Sequence, residues 1–398
     1  MNKIITLFFF VMFVIGTDTF LISPLLPTLS DLYHVSTDIS GWMVSAYALG
    51  YAIFAFVAGP ISDNLNRKKV MMYGLIAFTI STFLCGLASS FWMMCAMRLI
   101  SGISAAFVTP QVWASIPLLV KPEKIVKSMG IATAGLAISQ AFGLPIGSYL
   151  ASFSWNTPFF VLSAGSLVLI FLTLVLMPSV ENKQNIQNKE SIISRYKSLF
   201  SNPKASKLFL AYFLFQTGNF ASFNFLGTWL NDDYNFNVTQ IGIAMLVLGI
   251  GNFCGSFFGS GYVSKIGNSY ALFGGLILMG GLYFSLPYYN NITFVEVAFF
   301  LMFFVAGILF PLMMSLLQSL SANARGTIAA LSNSVMYMGT TLGAFSAGLL
   351  YHYFGKFSSV TTFTAIMYVF SIIVYKSSGV VTPVKVPATK TQKVVNKG

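Results

Sequence analysis

Charge is the scarcest commodity in this chain. Asp, Glu, Lys and Arg together make up 8% of its 398 residues, against roughly 25% in soluble domains, which excludes an ordinary soluble fold. Acids are rarer than bases, ten against 22. Histidine occurs twice, as His34 and His352; both map near the outer surface, so neither suits a central proton relay. The three cysteines, Cys85, Cys95 and Cys254, all fall in apolar stretches and offer neither a disulfide framework nor a metal cage. No Walker-type phosphate loop is present, so ATP-driven work by this chain alone is not expected. The apolar stretches also hold no nucleophile–base or metal constellation, so no enzyme is expected and no cofactor.

What fills the chain is apolar sequence, 56% of residues, with a mean hydropathy of +0.78. The apolar runs are about the ~20 residues that a helix needs to cross a bilayer. The first run follows Lys3 but is broken by Asp18, Pro24 and Pro27 and lacks a convincing cleavage site, so it reads as a retained membrane helix and not a signal peptide. Twelve helices are predicted, near 4–28, 41–62, 70–90, 92–118, 125–151, 155–177, 207–230, 240–263, 268–288, 294–318, 325–350 and 357–376. The expected organisation is an N-terminal six-helix bundle (1–177), a polar cytoplasmic linker (178–206), a C-terminal six-helix bundle (207–376) and a basic cytoplasmic tail (377–398). With both termini inside, every basic residue except Arg98 and Lys356 lies on the cytoplasmic side, the arrangement that the positive-inside rule favours. The net charge of +12 then reports topology and contact with anionic lipid. Nucleic-acid binding is not expected, because the charges are spread over many short loops.

The halves resemble each other. Thr28–Tyr33 aligns with Trp229–Tyr234, Gly59–Ser62 with Gly261–Ser264 and Gly147 with Gly348, at a common offset of 201 or 202. A tandem duplication of six helices places both halves in one orientation, related by an axis along the membrane normal. In that register Asp18 corresponds to Asn219, so the charged chemistry sits in the first half.

Four motifs carry a family resemblance. The loop after helix 2 reads GPISDNLNRKK from Gly59 to Lys69, with Asp63 four residues after Gly59 and Arg67 in the basic cluster. Helix 4 carries RLISGISAA, with Arg98 and Gly102. Helix 5 carries Gly143-Leu144-Pro145-Ile146-Gly147, and helix 1 has Asp18 followed by Leu25-Leu26-Pro27. Together these resemble the major facilitator superfamily, and within it the twelve-helix drug:proton antiporters and the sugar and nucleoside efflux group. The departures are Asn64 and Asn66 in the loop, Leu144 between glycine and proline, and Lys265 where the second half would repeat the acid. The resemblance implies an all-α membrane protein of two pseudo-symmetric six-helix halves. It also implies a cytoplasmic conformational latch at Gly59, Asp63 and Arg67, and an antiporter-type role for Gly143, Pro145 and Gly147.

Asp18 is the one carboxylate that hydropathy places inside the membrane. Such a group costs at least ~2.5 kcal/mol by insertion scales and normally faces a cavity or a partner. Arg98 is the only basic candidate within the spans. Loss of water favours the neutral carboxyl and a nearby guanidinium the charged one, so a coupled pair would respond to cavity hydration. Asp18 and Arg98 are therefore the expected proton-coupling residues, with protons as the coupling ion; a permanently ionised salt bridge is the plainer reading. Candidate substrate contacts are Gln216, Asn219 and Asn224 on helix 7, Phe20 on helix 1, Gln111 and Trp113 on helix 4, and Asn333 and Tyr337 on helix 11. Phe220, Phe223 and Asn252 have similar standing, while Gln140 suits packing. Asp31, Asp38, Asp232 and Asp233 are expected in outer loops, solvated. The function expected is proton-coupled export of a small organic compound across a bacterial cytoplasmic membrane by a protein acting as a monomer. The alternatives are sugar, nucleoside or zwitterion export, an uncoupled facilitator, or a receptor.

Overall fold

Apolar runs of this length can satisfy their backbone polar groups within a bilayer only by folding into helices or closed barrels, and here they fold into helices. The structure, a computed structural model, describes residues 3–63, 65–121, 124–179, 199–321 and 325–379. The first half comprises α1 (Lys3–Tyr33), α2 (Trp42–Asp63), α3 (Arg67–Gly86), α4 (Phe91–Leu119), α5 and α6 (Thr157–Leu176). Helix α5 is composite: Ile125–Ile138, a π-helical turn Ser139–Gly143, then Leu144–Phe153. The second half comprises α7 (Pro203–Tyr234), α8 (Val238–Ile266), α9 (Asn268–Ser285), α10 (Ile292–Gln318), α11 (Arg325–Phe354) and α12 (Phe357–Ser377). Several starts are written in the sequence. Ser90, Asn202 and Asn291 cap the helices that follow them, and Asn237 forms a reciprocal capping box with Gln240.

Among the described residues, ten helical segments are long and apolar enough to cross a membrane. The two helices outside that set are α7 and α11, of 32 and 30 residues. Both carry polar side chains, such as Gln216, Asn219 and Asn224 on α7 and Asn333, Thr340 and Thr341 on α11. They tolerate these because they pack against each other and against the opposite half, at the middle of the bundle. The expected linker and tail lie mostly outside the described residues (180–198 and 380–398), and α7 begins inside the expected linker.

The helix pairings repeat. In the first half α1 packs on α5, α2 on α4, and α3 on both α4 and α6; in the second α7 packs on α11, α8 on α10, and α9 on both α10 and α12. Between halves α1 meets α7, α2 meets α11 and α5 meets α8, the pattern of a two-fold axis along the bundle. Close crossings depend on small residues, as expected where apolar lipid gives helices no hydrophobic reason to associate. At Gly102 of α4 a Cβ would lie 2.0 Å from the Tyr47 carbonyl oxygen of α2.

Successive helices alternate in direction, so α1 starts and α12 ends at one end of the bundle, here the terminal end. There Lys68 Nζ donates to the Leu174 carbonyl and Lys207 Nζ to the Ser377 carbonyl. At the far end Tyr33 donates to the Ala88 carbonyl and Tyr234 to that of Tyr289, the same bond 201 residues on.

Candidate functional site

Asp18 and Arg98 meet in the first half. The Arg98 guanidinium donates from Nη1 to Asp18 Oδ2 at 2.8 Å and from Nη2 to the Asp18 backbone carbonyl at 3.1 Å. Both residues are fully buried. Because one of the two hydrogen bonds goes to the main chain, Asp18 Oδ1 has no hydrogen-bond partner among the described residues, nor does Arg98 Nε. A buried pair with open valences is costly unless something else meets them.

Aromatic rings enclose the pair. Arg98 lies over the Tyr47 ring, 4.4 Å from its centroid, a cation–π contact. Thr19 donates to Tyr47 Oη at 3.0 Å. One turn along α2, Tyr51 stacks on Tyr337 of α11 with centroids 3.8 Å apart, and Tyr337 also sits 6.4 Å from Tyr47. Two residues after Asp18, Phe20 of α1 meets Phe220 and Phe223 of α7. The charged pair thus belongs to one half, while the rings around it belong to both.

Asn219, the counterpart of Asp18, has different company. Its Oδ1 accepts from Tyr368 at 3.2 Å and, more weakly, from Tyr283 at 3.5 Å. No residue of the second half repeats Arg98; at that place in the duplication stands buried Phe299.

Helix α5 holds the motif Gly143-Leu144-Pro145-Ile146-Gly147. Proline lacks an N–H and crowds the carbonyl four residues back, and the π-helical turn Ser139–Gly143 lies immediately before it, a bulge of the kind such insertions produce. A Cβ on Gly143 would come within 2.2 Å of Thr17 Oγ1, and Gly147 faces Leu21, so the motif presses on α1 on both sides of Asp18. Its other face meets α8 of the second half. Ala141 lies against Gly249, Ser148 against Gly242, and Asn252 donates to Gln140. Gln140 thus bridges the halves, where packing was expected.

The remaining candidates scatter. Gln216 is buried and donates to Tyr212 on its own helix. Gln111 is fully buried, and both ends of its amide lack a partner among the described residues, as does the Asn224 amide nitrogen. Trp113 and Asn333 are half-buried. At the latch, Arg67 is buried at the start of α3, but the surroundings of Gly59 and the side chain of Asp63 fall outside the described residues. Of the outer acids, Asp31, Asp232 and Asp233 are exposed, as expected of solvated groups, and Asp38 is half-buried. Tyr351 donates to Asp232 Oδ2 at 2.7 Å, Trp229 donates to Asp233 Oδ2 at 2.8 Å, and Asp38 lies 3.6 Å from His352 of the opposite half. The Trp229–Asp233 bond lies within α7, whereas the Asp232 and Asp38 contacts arise because α11 packs on α7 and on the segment before α2. Among the described residues no group of three His, Cys, Asp or Glu side chains could hold a metal.

The halves are joined along the far half of the bundle. Ser23 donates to the Phe223 carbonyl at 2.8 Å, Ser45 to the Thr341 carbonyl at 3.0 Å, and Trp42 meets Phe345 edge-on. Toward the terminal end α2 separates from α7 and α11 around a cavity of about 520 Å³.

A sequence profile of the Major Facilitator Superfamily matches residues 8–343 and 208–397. The chain belongs to the Major Facilitator Superfamily. It is 61% identical to the uncharacterized MFS-type transporter YceJ of Bacillus subtilis (strain 168), over 95% of this chain and 96% of that one. It is 26% identical to Multidrug resistance protein 1 of the same organism, over 83% and 85% of the two chains. Among solved structures, a bacterial homologue of the human lysosomal transporter Spinster aligns with a TM-score of 0.78 at 15% identity, covering 94% of this chain and 96% of that one. The fold is that of the superfamily, and the protein is a membrane transporter.

Tyr47, Tyr51, Tyr283 and Tyr368 were missed by sequence reasoning. A signal existed for the first two: they are tyrosines four residues apart in an apolar helix, hence on one face. Nothing in the sequence marked the other two.

Proposed function

We propose that the protein exports a small organic compound in exchange for protons, with Asp18 carrying the proton and Arg98 holding it to its task. The observation that carries this reading is the half-satisfied ion pair: Asp18 keeps one oxygen open beside a guanidinium in a site walled by both halves. Rocking of the halves would change the hydration of that oxygen, and with it the balance between burial and the neighbouring charge. The terminal end would face the cytoplasm, where the positive-inside rule puts the basic loops. Gly59, Asp63 and Arg67 would latch that end, and the motif on α5 would transmit movement between α1 and α8. The similarity to a multidrug resistance protein supports drug-like cargo, with the protein working as a monomer in a bacterial plasma membrane and needing no cofactor or nucleic acid.

A sugar, nucleoside or zwitterionic metabolite is the second reading of the cargo, favoured by Asn219, whose amide is held by two tyrosine hydroxyls. Everted vesicles test the coupling. Wild type is expected to accumulate a transported compound when the lumen is acidified, and Asp18→Asn to lose uphill accumulation while still exchanging it downhill. Uphill accumulation by Asp18→Asn equal to wild type would refute proton coupling through Asp18. A comparison of metabolites and dyes retained by cells with and without the protein would name the cargo.

A further inference from the structure

The seam between α2 of the first half and α11 of the second is built in rungs. From the far end inward, Trp42 meets Phe345, Ser45 donates to the Thr341 carbonyl, and Tyr51 stacks on Tyr337 at 3.8 Å. Past that rung the two helices part around the cavity, whose wall takes Ala52 and Met338, the next residue on each helix. Tyr337 is therefore the last rung of the closed far end. Opening the far end must unzip the seam, Tyr337 included.

The Tyr337 hydroxyl reaches into the first half. It approaches Thr19, the residue after Asp18, while its ring sits 6.4 Å from that of Tyr47. Thr19 Oγ1 lies 2.8 Å from the Ile15 carbonyl and 3.0 Å from Tyr47 Oη. A threonine hydroxyl has one proton and two lone pairs, so Thr19 joins the two tyrosine hydroxyls in one ordered cluster. Tyr47 in turn carries Arg98 on its face, and Arg98 grips both the carboxylate and the carbonyl of Asp18. A chain of contacts thus runs from α11 through Thr19 and Tyr47 to the guanidinium. The other titratable groups beside the pair are the thiols of Cys85 on α3 and Cys95 on α4, with Tyr51 one turn beyond Tyr47. Helix α5 brings the neutral Ser139 and Gly143 against Gly16 and Thr17, and α7 brings Phe220 and Phe223 against Phe20. Cys85, Cys95 and Tyr51 stay with the first half when the halves move; Tyr337 does not.

We infer that Tyr337 is a positioning residue: docked while the far end is closed, it fixes Tyr47 and so holds Arg98 on Asp18, driving the proton off toward the terminal side. When the far end opens, Tyr337 withdraws, Tyr47 and the guanidinium gain freedom, and the carboxyl takes a proton from water. The O–H bond forms on Asp18 Oδ1 at uptake and breaks at release, and the guanidinium keeps its protons throughout. The direction agrees with exchange, since the proton is taken up from the far side and given up to the terminal side. The inference rests on the proton-coupled reading and adds the residue by which the second half commands the pair.

Infrared titration of the full chain in phospholipid nanodiscs tests it, reading the protonated carboxyl band that disappears in Asp18→Asn. Tyr337→Phe keeps the ring on Tyr51 and loses the hydroxyl. It is expected to raise the proton affinity of Asp18 about tenfold, moving the titration midpoint up by about one pH unit, the scale of one lost hydrogen bond. Thr19→Val should do the same, and the two together no more than either alone, because they break one chain. Tyr375→Phe, at another buried tyrosine of the second half, should leave the midpoint in place. A lower thermal midpoint with an unmoved titration in both Tyr337→Phe and Thr19→Val would make the contact merely structural and overturn the inference. Additive shifts would overturn it too, since the residues would then act separately. A wild-type protein with no titrating band would have a permanently ionised Asp18, which sinks the coupling reading itself and is told apart from a band that titrates but ignores Tyr337.

Discussion

Asp18 and Asn219 stand at matching places in the two halves, 201 residues apart, and the structure gives them opposite surroundings. Asp18 is fully buried against a guanidinium, with one oxygen open. Asn219 is half-buried and its oxygen accepts from two tyrosine hydroxyls. The backbone frame is duplicated, down to the Tyr33 and Tyr234 bonds at the far end, while the chemistry is not. On the proposed reading, the first half would respond to a proton and the second would orient cargo by hydrogen bonds, so that one duplicated scaffold divides two tasks between its copies.

The sharpest way to break this comparison is to remove Arg98. Arg98→Met leaves a buried carboxylate unpaired, at a cost of about 3–5 kcal/mol. The expected result is a large fall in thermal midpoint in detergent together with loss of uphill transport. Arg98→Met,Asp18→Asn should recover most of the midpoint and none of the uphill transport. A separate structural role for each residue would instead give additive losses.

Next in size is the packing of α5 on α1. Gly143→Leu forces a side chain into Thr17, an overpacking that costs typically about 1–3 kcal/mol. It is expected to lower transport of any cargo and to reduce a cysteine cross-link between positions 141 and 249, because α5 is wedged between α1 and α8. An unchanged cross-link would separate the motif from the contact between halves.

A smaller effect is expected in the second half. Tyr368→Phe removes one hydrogen bond to Asn219, worth about 0.5–1.5 kcal/mol. It should raise the half-saturating cargo concentration several-fold and leave the pH dependence of uphill transport unaltered. A shift in that pH dependence would mean that the two halves share the proton chemistry after all. The smallest effect belongs to His352→Gln. The pair with Asp38 is partly exposed and screened by water, so the thermal midpoint should barely change, and a fall of several degrees would show that this contact between the halves carries real weight.

Much of this was legible in the sequence, for identifiable reasons. Hydropathy sees length and apolarity, so it located the helices, and it is weakest on α7 and α11, whose amides and hydroxyls face the middle of the bundle. Asp18 and Arg98 stood out because charges are rare in apolar helices. Their contact depends on the packing of α4 beside α1, which hydropathy does not record. Gln216 looked like a cargo contact, but a tyrosine one turn away occupies it. The acids at the far end looked solvated; Trp229 reaches Asp233 within α7, Tyr351 reaches Asp232 across α7 and α11, and His352 reaches Asp38 once the halves meet.

The sequence by itself determined the twelve-helix duplicated frame, the family, and the asymmetry between Asp18 and Asn219. These are properties of composition, period and spacing, which a linear chain carries openly. Tertiary structure alone decided which oxygen of Asp18 stays open and that Tyr51 and Tyr337 stack across the halves. Such features arise where residues hundreds of positions apart are pressed within a few ångströms, and no local pattern records which side chain will be left without a partner.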